Sequence, residues 1–200
     1  PTSMEQRRAM RRDKLMAAGL QLYGTEGYSA GSVARVCAEA NLSTRQFYEE
    51  FASRDELLFA LYDQGQEISG RFLAAALANA PAQEYTRDLI HRNIEAYVDS
   101  FAEDPRWATL LFVTVIGVSP QLEAHRRQTR ENWIGVQCAI AEELVRQGRI
   151  PQREFRPIFV AFVGAIDGLV YDWCHTDPRP AKETITDTLT HMLFHALNAP

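Results

Sequence analysis

The side chains best suited to chemistry in this chain stand in one short run. Ser43, Thr44, Arg45, Gln46 and Tyr48 all carry hydrogen-bonding groups and lie within about two helical turns. Such groups at the start of a short helix are what the DNA major groove accepts, because base edges there are read by donors and acceptors on the first turn of an inserted helix. Two carboxylates, Glu49 and Glu50, close the run and would stand near a polyanion.

The elements that must position these groups are legible on either side. Val33, Val36, Cys37 and Ala40 fall at i, i+3, i+4 and i+7, one apolar face of a helix that starts at Ser32, while Arg35 and Glu39 point away. Asn41 ends that helix, since Asn tolerates the left-handed backbone of a sharp turn, and Leu42 plugs the corner. Ser43 and Gln46 form a capping-box signature for the next helix, which turns Phe47 and Phe51 inward. The layout is a helix-turn-helix. A second capping box, Ser53 with Glu56, opens a long helix whose first residue is Arg54; its guanidinium and the helix amides could together hold one phosphate. Upstream, Leu15, Ala18, Gly19 and Leu22 make one face of an earlier helix, broken at residues 24–27, so the unit is three helices and a brace.

With these features, EGYSAGSVARVCAEANLSTRQFYEEFASRDELL resembles the DNA-binding region of the tetracycline-repressor (TetR) family of bacterial transcriptional regulators. The resemblance rests on Gly27-Tyr28, Ser32-Val33, Leu42-Ser43, Tyr48, Phe51 and Arg54, and covers about the first quarter of the chain. Asn41 stands where members often carry Gly, Arg45 where many carry Gly, and Glu50 where many carry His. The resemblance implies a head at residues 5–53 that binds double-stranded DNA, with Ser32, Ser43, Thr44, Arg45, Gln46, Tyr48 and Arg54 at the contact. It also implies a body at residues 54–200 that binds a small-molecule effector and forms a homodimer.

Charge agrees. The chain carries −5 overall, but residues 1–48 hold seven Lys or Arg against four Asp or Glu, whereas residues 49–200 hold fourteen against twenty-two. Within the basic end, RRAMRRDK at residues 7–14 either reaches the DNA backbone or is a solvated helix face. A 46% hydrophobic content can bury a substantial core. Cys37, Cys138 and Cys174 are odd in number and lack metal-ligand spacing, and no signal-peptide pattern precedes them, so the cytoplasm is the expected compartment. Pro1 to Ser3 precede Met4 and are set aside.

The fold class expected is all-α, about nine helices, with no repeat or flexible linker. The long helix from Arg54 carries Leu58, Leu61, Tyr62, Gly65, Ser69 and Phe72 on one stripe, and Ala80-Pro81 closes it. Ile90, Ile94, Tyr97 and Phe101 face the next helix inward. Asp104-Pro105 and Ser119-Pro120 are cap-plus-proline starts, Gly117 and Gly148 mark ends, and Pro151 forbids continuation. Trp133, Val136, Gln137, Ile140 and Leu144 are expected on one inward side of the helix opened at Pro120. Helices over roughly 154–174 and 181–197 complete the set. The first of these is apolar almost all round from Ile158 through Ile166, a run too short to span a membrane and interrupted by Asp167 and Asp172. Phe155, Phe159, Phe162, Ile166 and Trp173 make its bulky stripe, and Ala161, Gly164, Ala165 and Gly168 a small-residue stripe that lets another helix approach. The resemblance implies that the last two helices of each subunit pair in a four-helix bundle, with Ala161, Ala165, Gly168, Leu189 and Met192 at the interface. Ordinary core is the alternative. Two-fold symmetry would make the operator roughly palindromic.

Large aromatics crowd the body, and an apolar cavity with a few directed polar groups is the usual form of a small-molecule site. Asn93, Tyr97, Trp107, Leu111, Trp133, Gln137, Phe162 and Ile166 are the candidate lining for a hydrophobic effector, whereas Asp167 pairs with Arg156 or Arg153 or holds a water. Catalysis finds no support: His191 and His195 lack the remaining parts of a zinc site, and no phosphate-binding glycine loop or nucleophile signature occurs. No metal or cofactor is expected. The expected function is a repressor released from DNA by its effector; the rival is a helical carrier or interaction module that no longer meets DNA, argued from Glu49 and Glu50.

Overall fold

Residues 3–79 and 86–198 are described by the computed structural model. Among them the regular elements are nine α-helices, one 3-10 turn and one π-helical segment, with no strand. The helices are α1 (Met4–Thr25), α2 (Val33–Ala40), α3 (Thr44–Glu50), α4 (Arg54–Ala78), α5 (Thr86–Ala102), α6 (Pro105–Thr109), α7 (Pro120–Arg146), α8 (Arg156–His175) and α9 (Lys182–Asn198). The expected stop at Ala80-Pro81 lies outside the described residues.

Two compact units are formed, one running through Ile68 and taking in Asp104–Val118, the other made of Ser69–Glu103 and the chain from Ser119 onward. In the first, Leu15, Ala18, Gly19 and Leu22 of α1 are buried as their spacing predicts, and Tyr23 joins them without exposed surface. Residues 104–118 pack in this unit although sequence reading leaves them with the body. Gly24 makes that possible. A β-carbon there would come within 2.8 Å of the Arg106 carbonyl oxygen, and the Thr114 hydroxyl donates to the Tyr23 carbonyl at 2.8 Å. α6 then continues as the π-helical segment Leu110–Thr114, whose Leu111 lies over Gly65 of α4.

In the second unit, α9 packs on α5 and α8, and α8 on α7. Phe155, Phe159, Phe162, Ile166 and Trp173 are all buried, and each contributes roughly 1.5–3 kcal/mol of transfer free energy. The Ser69 and Ser100 hydroxyls pair at 2.8 Å inside the unit, and Lys182 of α9 meets Asp99 of α5 at 2.7 Å. α7 departs from expectation. Its buried residues are Leu122, Ile134, Ala141 and Leu144, while Val136 is 58% and Ile140 42% exposed. The helix is apolar on two adjoining stripes, and periodicity alone does not say which one a neighbour covers.

α8 also departs from expectation. By length and composition the whole helix, longer than the run over residues 158–166, is long and apolar enough to cross a membrane. Yet only 28% of its apolar window is buried within the chain, which leaves Val160, Ala161, Gly164, Gly168 and Tyr171 as an uncovered stripe beside the packed aromatic one.

Candidate nucleic-acid interface

The turn between α2 and α3 is built as its residues dictate. Asn41 has φ 52° and ψ 49°, the only non-glycine residue with positive φ among those described. Its short side chain makes that conformation tolerable. Ser32 caps α2, its hydroxyl accepting from the Arg35 amide at 3.3 Å. Ser43 caps α3 in a complete capping box: its hydroxyl accepts from the Gln46 amide at 3.2 Å, and Gln46 Oε1 accepts from the Ser43 amide at 2.9 Å. Val36, Cys37 and Phe47 are buried between the helices, and burial pushes the Cys37 thiol up. Thr44, Arg45 and Tyr48 are left exposed, the Arg45 side chain at 89%. The carbonyl end of Gln46 is occupied by the cap, so its amide NH2 is the group left for a base.

Arg54 does not stand free at the start of α4. Its guanidinium lies 4.3 Å above the Tyr28 ring and reaches the Tyr28 carbonyl at 3.5 Å. The Tyr28 hydroxyl donates to the Asp55 carboxylate, and burial, reinforced by that hydrogen bond, holds its phenol well above the usual range. The second capping box is one-sided: Ser53 Oγ accepts from the Glu56 amide at 3.2 Å, but Glu56 Oε2 accepts from Ala52 rather than from Ser53.

Glu50 is the surprise of the site. Its side chain is 1% exposed, and it accepts from Arg8 Nε at 3.2 Å and from Arg11 Nη2 at 3.0 Å, while its backbone carbonyl accepts from Arg12 at 3.3 Å. Arg12 also stacks 4.3 Å above the Phe51 ring. Glu49 meets Arg11 at 3.6 Å and Arg45 Nε at 3.3 Å. Much of the basic run on α1 is therefore committed to the end of α3.

The candidate lining residues of the body divide between the two units. In the second, Trp133 stacks on Phe162 at 6.2 Å and meets Phe159 edge-on at 6.3 Å, with Ile166 buried one turn beyond Phe162 and Gln137 half-buried one turn from Trp133. On α5, Tyr97 packs edge-on against Phe101, and the Asn93 amide donates to the Leu89 carbonyl at 2.8 Å within its own helix. Trp107 and Leu111 belong to the first unit, where Trp107 lines a cleft of about 720 Å³ with Met16 and Leu20 of α1 and Phe59 of α4. Asp167 pairs with Arg130 at 2.6 Å, while Arg156 takes Glu131 and Arg153 donates to the Ala196 carbonyl at 2.8 Å. Burial pushes the Asp167 carboxyl up despite that partner. Of the interface candidates, Ala161, Gly168 and Met192 are exposed and Ala165 half-buried. Leu189 is fully enclosed and faces inward from α9, because α9 buries the 185, 189, 193 and 197 stripe within the unit.

Residues 15–61, which hold the end of α1, the helix-turn-helix and the start of α4, match the sequence profile of bacterial regulatory proteins of the tetR family. This head belongs to the tetR family. No curated protein matches the chain significantly. Among solved structures it is similar to a TetR-like transcriptional regulator from Rhodococcus sp. RHA1, at 18% identity over 95% of this chain and 97% of that one, with a TM-score of 0.74. The fatty acid degradation regulator FadR from Bacillus halodurans gives 16% identity, coverages of 94% and 96%, and a TM-score of 0.79. FadR from Bacillus subtilis in complex with stearoyl-CoA gives 15% identity, coverages of 90% and 96%, and a TM-score of 0.77. The fold of the whole chain is thus that of TetR-type transcriptional regulators.

What sequence reasoning missed in this tetR-family head is the clasp around Glu50. The signal was present. Arg8, Arg11 and Arg12 are spaced to share one face of α1, and an acid at the C-terminus of a helix opposes the helix dipole and so calls for a partner.

Proposed function

We propose that this chain is a transcriptional regulator that docks α3 in the major groove of a palindromic operator as a homodimer, represses, and is released by a hydrophobic small molecule. The observation that carries the reading is the start of α3, where Thr44, Arg45 and, a turn later, Tyr48 project into solvent from a helix anchored by Phe47 and Phe51. Residues 5–53 serve as the DNA-binding domain, with Ser32, Ser43 and Gln46 shaping the contact and Arg54 on the backbone. Residues 54–200 serve for effector binding and dimerisation. The uncovered α8 stripe supports pairing through Ala161, Ala165 and Gly168 with Met192 of α9, because an apolar helix face of that length is costly to leave in water. Two-fold symmetry then sets the reading helices about 34–36 Å apart, one DNA turn. The aromatic packing around Trp133 and Phe162, and the acyl-CoA complex of one structural neighbour, favour an elongated apolar effector. Effector and operator oppose each other through one coupling free energy, as each favours a different conformation of the dimer. The protein acts in the cytoplasm and catalyses no reaction. The rival carrier reading drew its support from Glu49 and Glu50. Glu50 is enclosed by Arg8 and Arg11, and Glu49 is paired with Arg11 and Arg45, which weakens the charge argument on which it rested.

Selection of bound duplexes from a random pool tests the proposal. A palindromic consensus with half-sites about one turn apart is expected. Recovery of no preferred sequence over bulk competitor at moderate ionic strength would overturn it.

A further inference from the structure

Glu49 occupies a position that its charge makes hard to explain at a DNA interface. It lies on the reading helix, one turn from Arg45, and its carboxylate accepts from Arg45 Nε at 3.3 Å through Oε1 while Oε2 faces Arg11 Nη2 at 3.6 Å. Arg11 is itself fixed, because the same nitrogen and its Nε both bind the enclosed carboxylate of Glu50, which Arg8 closes from the other side. An unbroken line of alternating charge thus runs Arg8, Glu50, Arg11, Glu49, Arg45. Its enclosed member is Glu50, and the end on α3, Arg45, is solvent-exposed.

We infer that Glu49 is a positioning residue for sequence discrimination: anchored by Arg11, it holds the Arg45 guanidinium in competition with DNA phosphates. The inference rests on α3 being the DNA-reading helix. On a random duplex, a phosphate offers Arg45 one more carboxylate-like partner, so leaving Glu49 gains little and one cation is withheld from backbone binding. Because Glu49 takes only Nε, the two terminal nitrogens of Arg45 can bind a guanine edge bidentately at the right base step without breaking the pair. Glu49 thus keeps both of its arginines at the operator, whereas a phosphate that draws Arg45 away breaks the pair. The carboxylate therefore penalises wrong sites more than right ones, which is how specificity arises from a repulsive element.

The test uses the full-length protein, its selected operator and a scrambled duplex of equal length, with Kd measured across a salt series. Glu49→Gln is expected to tighten scrambled-duplex binding about threefold to tenfold while operator affinity changes by less than about twofold, and to steepen the scrambled-duplex salt slope by about one ion. The decisive comparison is the same substitution in an Arg45→Ala background, where it should have little further effect because the two residues act as one unit. An equal gain in that background would show simple charge repulsion and overturn the inference, as would unchanged scrambled-duplex binding by Glu49→Gln. Arg11→Gln supplies an independent arm: with its anchor removed, Glu49 should hold Arg45 less well, and discrimination should fall in the same direction. If the wild-type protein itself prefers no duplex, it is the assignment of α3 to DNA that fails, an outcome distinct from a wild type that discriminates and a variant that does so equally well.

Discussion

The Arg54 guanidinium lies over the Tyr28 ring, 4.3 Å from its centroid, where α4 begins. A cation on an aromatic face at a partly exposed site contributes about 0.5–1 kcal/mol. Arg54→Ala should therefore lower thermal stability by about that amount and weaken binding to all duplexes alike, with a salt slope smaller by about one. Titration of operator and scrambled DNA in parallel checks it; a change in preferred sequence would contradict a backbone role.

Arg45→Ala should relax base preference at one position of each half-site and cost about 1–3 kcal/mol in operator affinity. Its side chain is 89% exposed and has no structural task beyond the Glu49 pair, so the melting temperature should hold. Repeating the duplex selection with the variant reads the result.

Gly24 and Gly70 make a matched pair. A β-carbon on Gly24 meets Arg106 main-chain atoms at 2.8 and 3.0 Å, whereas one on Gly70 meets nothing within 4 Å. Gly24→Ala should destabilise by about 1–3 kcal/mol, because backbone cannot step aside as a flexible side chain would. Gly70→Ala, in the interior of α4, should stabilise by about 0.5–1 kcal/mol. Urea unfolding of both variants measures the contrast.

Burial holds the Tyr23 phenol up at about 12, against an ordinary value near 10. A raised folded pKa means that the associated stability is complete below about pH 10 and drains away as pH climbs toward 12. The hydroxyl has no hydrogen-bond partner, so Tyr23→Phe should leave neutral-pH stability nearly unchanged. The alkaline limb of a melting-temperature profile should be flatter in the variant than in the wild type.

Ala161→Arg places a charge in the uncovered α8 stripe. Sedimentation should show a monomer whose unfolding midpoint, measured at a concentration where the wild type is also monomeric, is unchanged. A dimer that persists would move the interface elsewhere.

Local signals were read well where one face of one helix decided the outcome. The caps at Ser43, Asp104 and Ser119, the left-handed turn at Asn41, and the aromatic stripe of α8 follow from short-range rules that tertiary packing had no reason to override. Errors arose where a helix offered two apolar faces. On α7 and α9 the inward stripe is set by which neighbour covers it, so Val136 and Ile140 point outward and Leu189 inward, against expectation. The same holds for Trp107 and Leu111, whose segment joins the first unit because Gly24 admits Arg106. The partners of Glu50 lie about forty positions away in sequence, so the arginine face of α1 and the acid at the end of α3 are each legible locally but their pairing is not.

Cys37, enclosed beneath the turn with its thiol pushed up by burial, has a practical corollary. Burial pushes the Cys138 thiol up as well, so access makes the difference: the reading head should resist alkylating and oxidising reagents under conditions that modify the half-exposed Cys138 and Cys174. Fluorophores attached through native thiols would then report from the second unit alone.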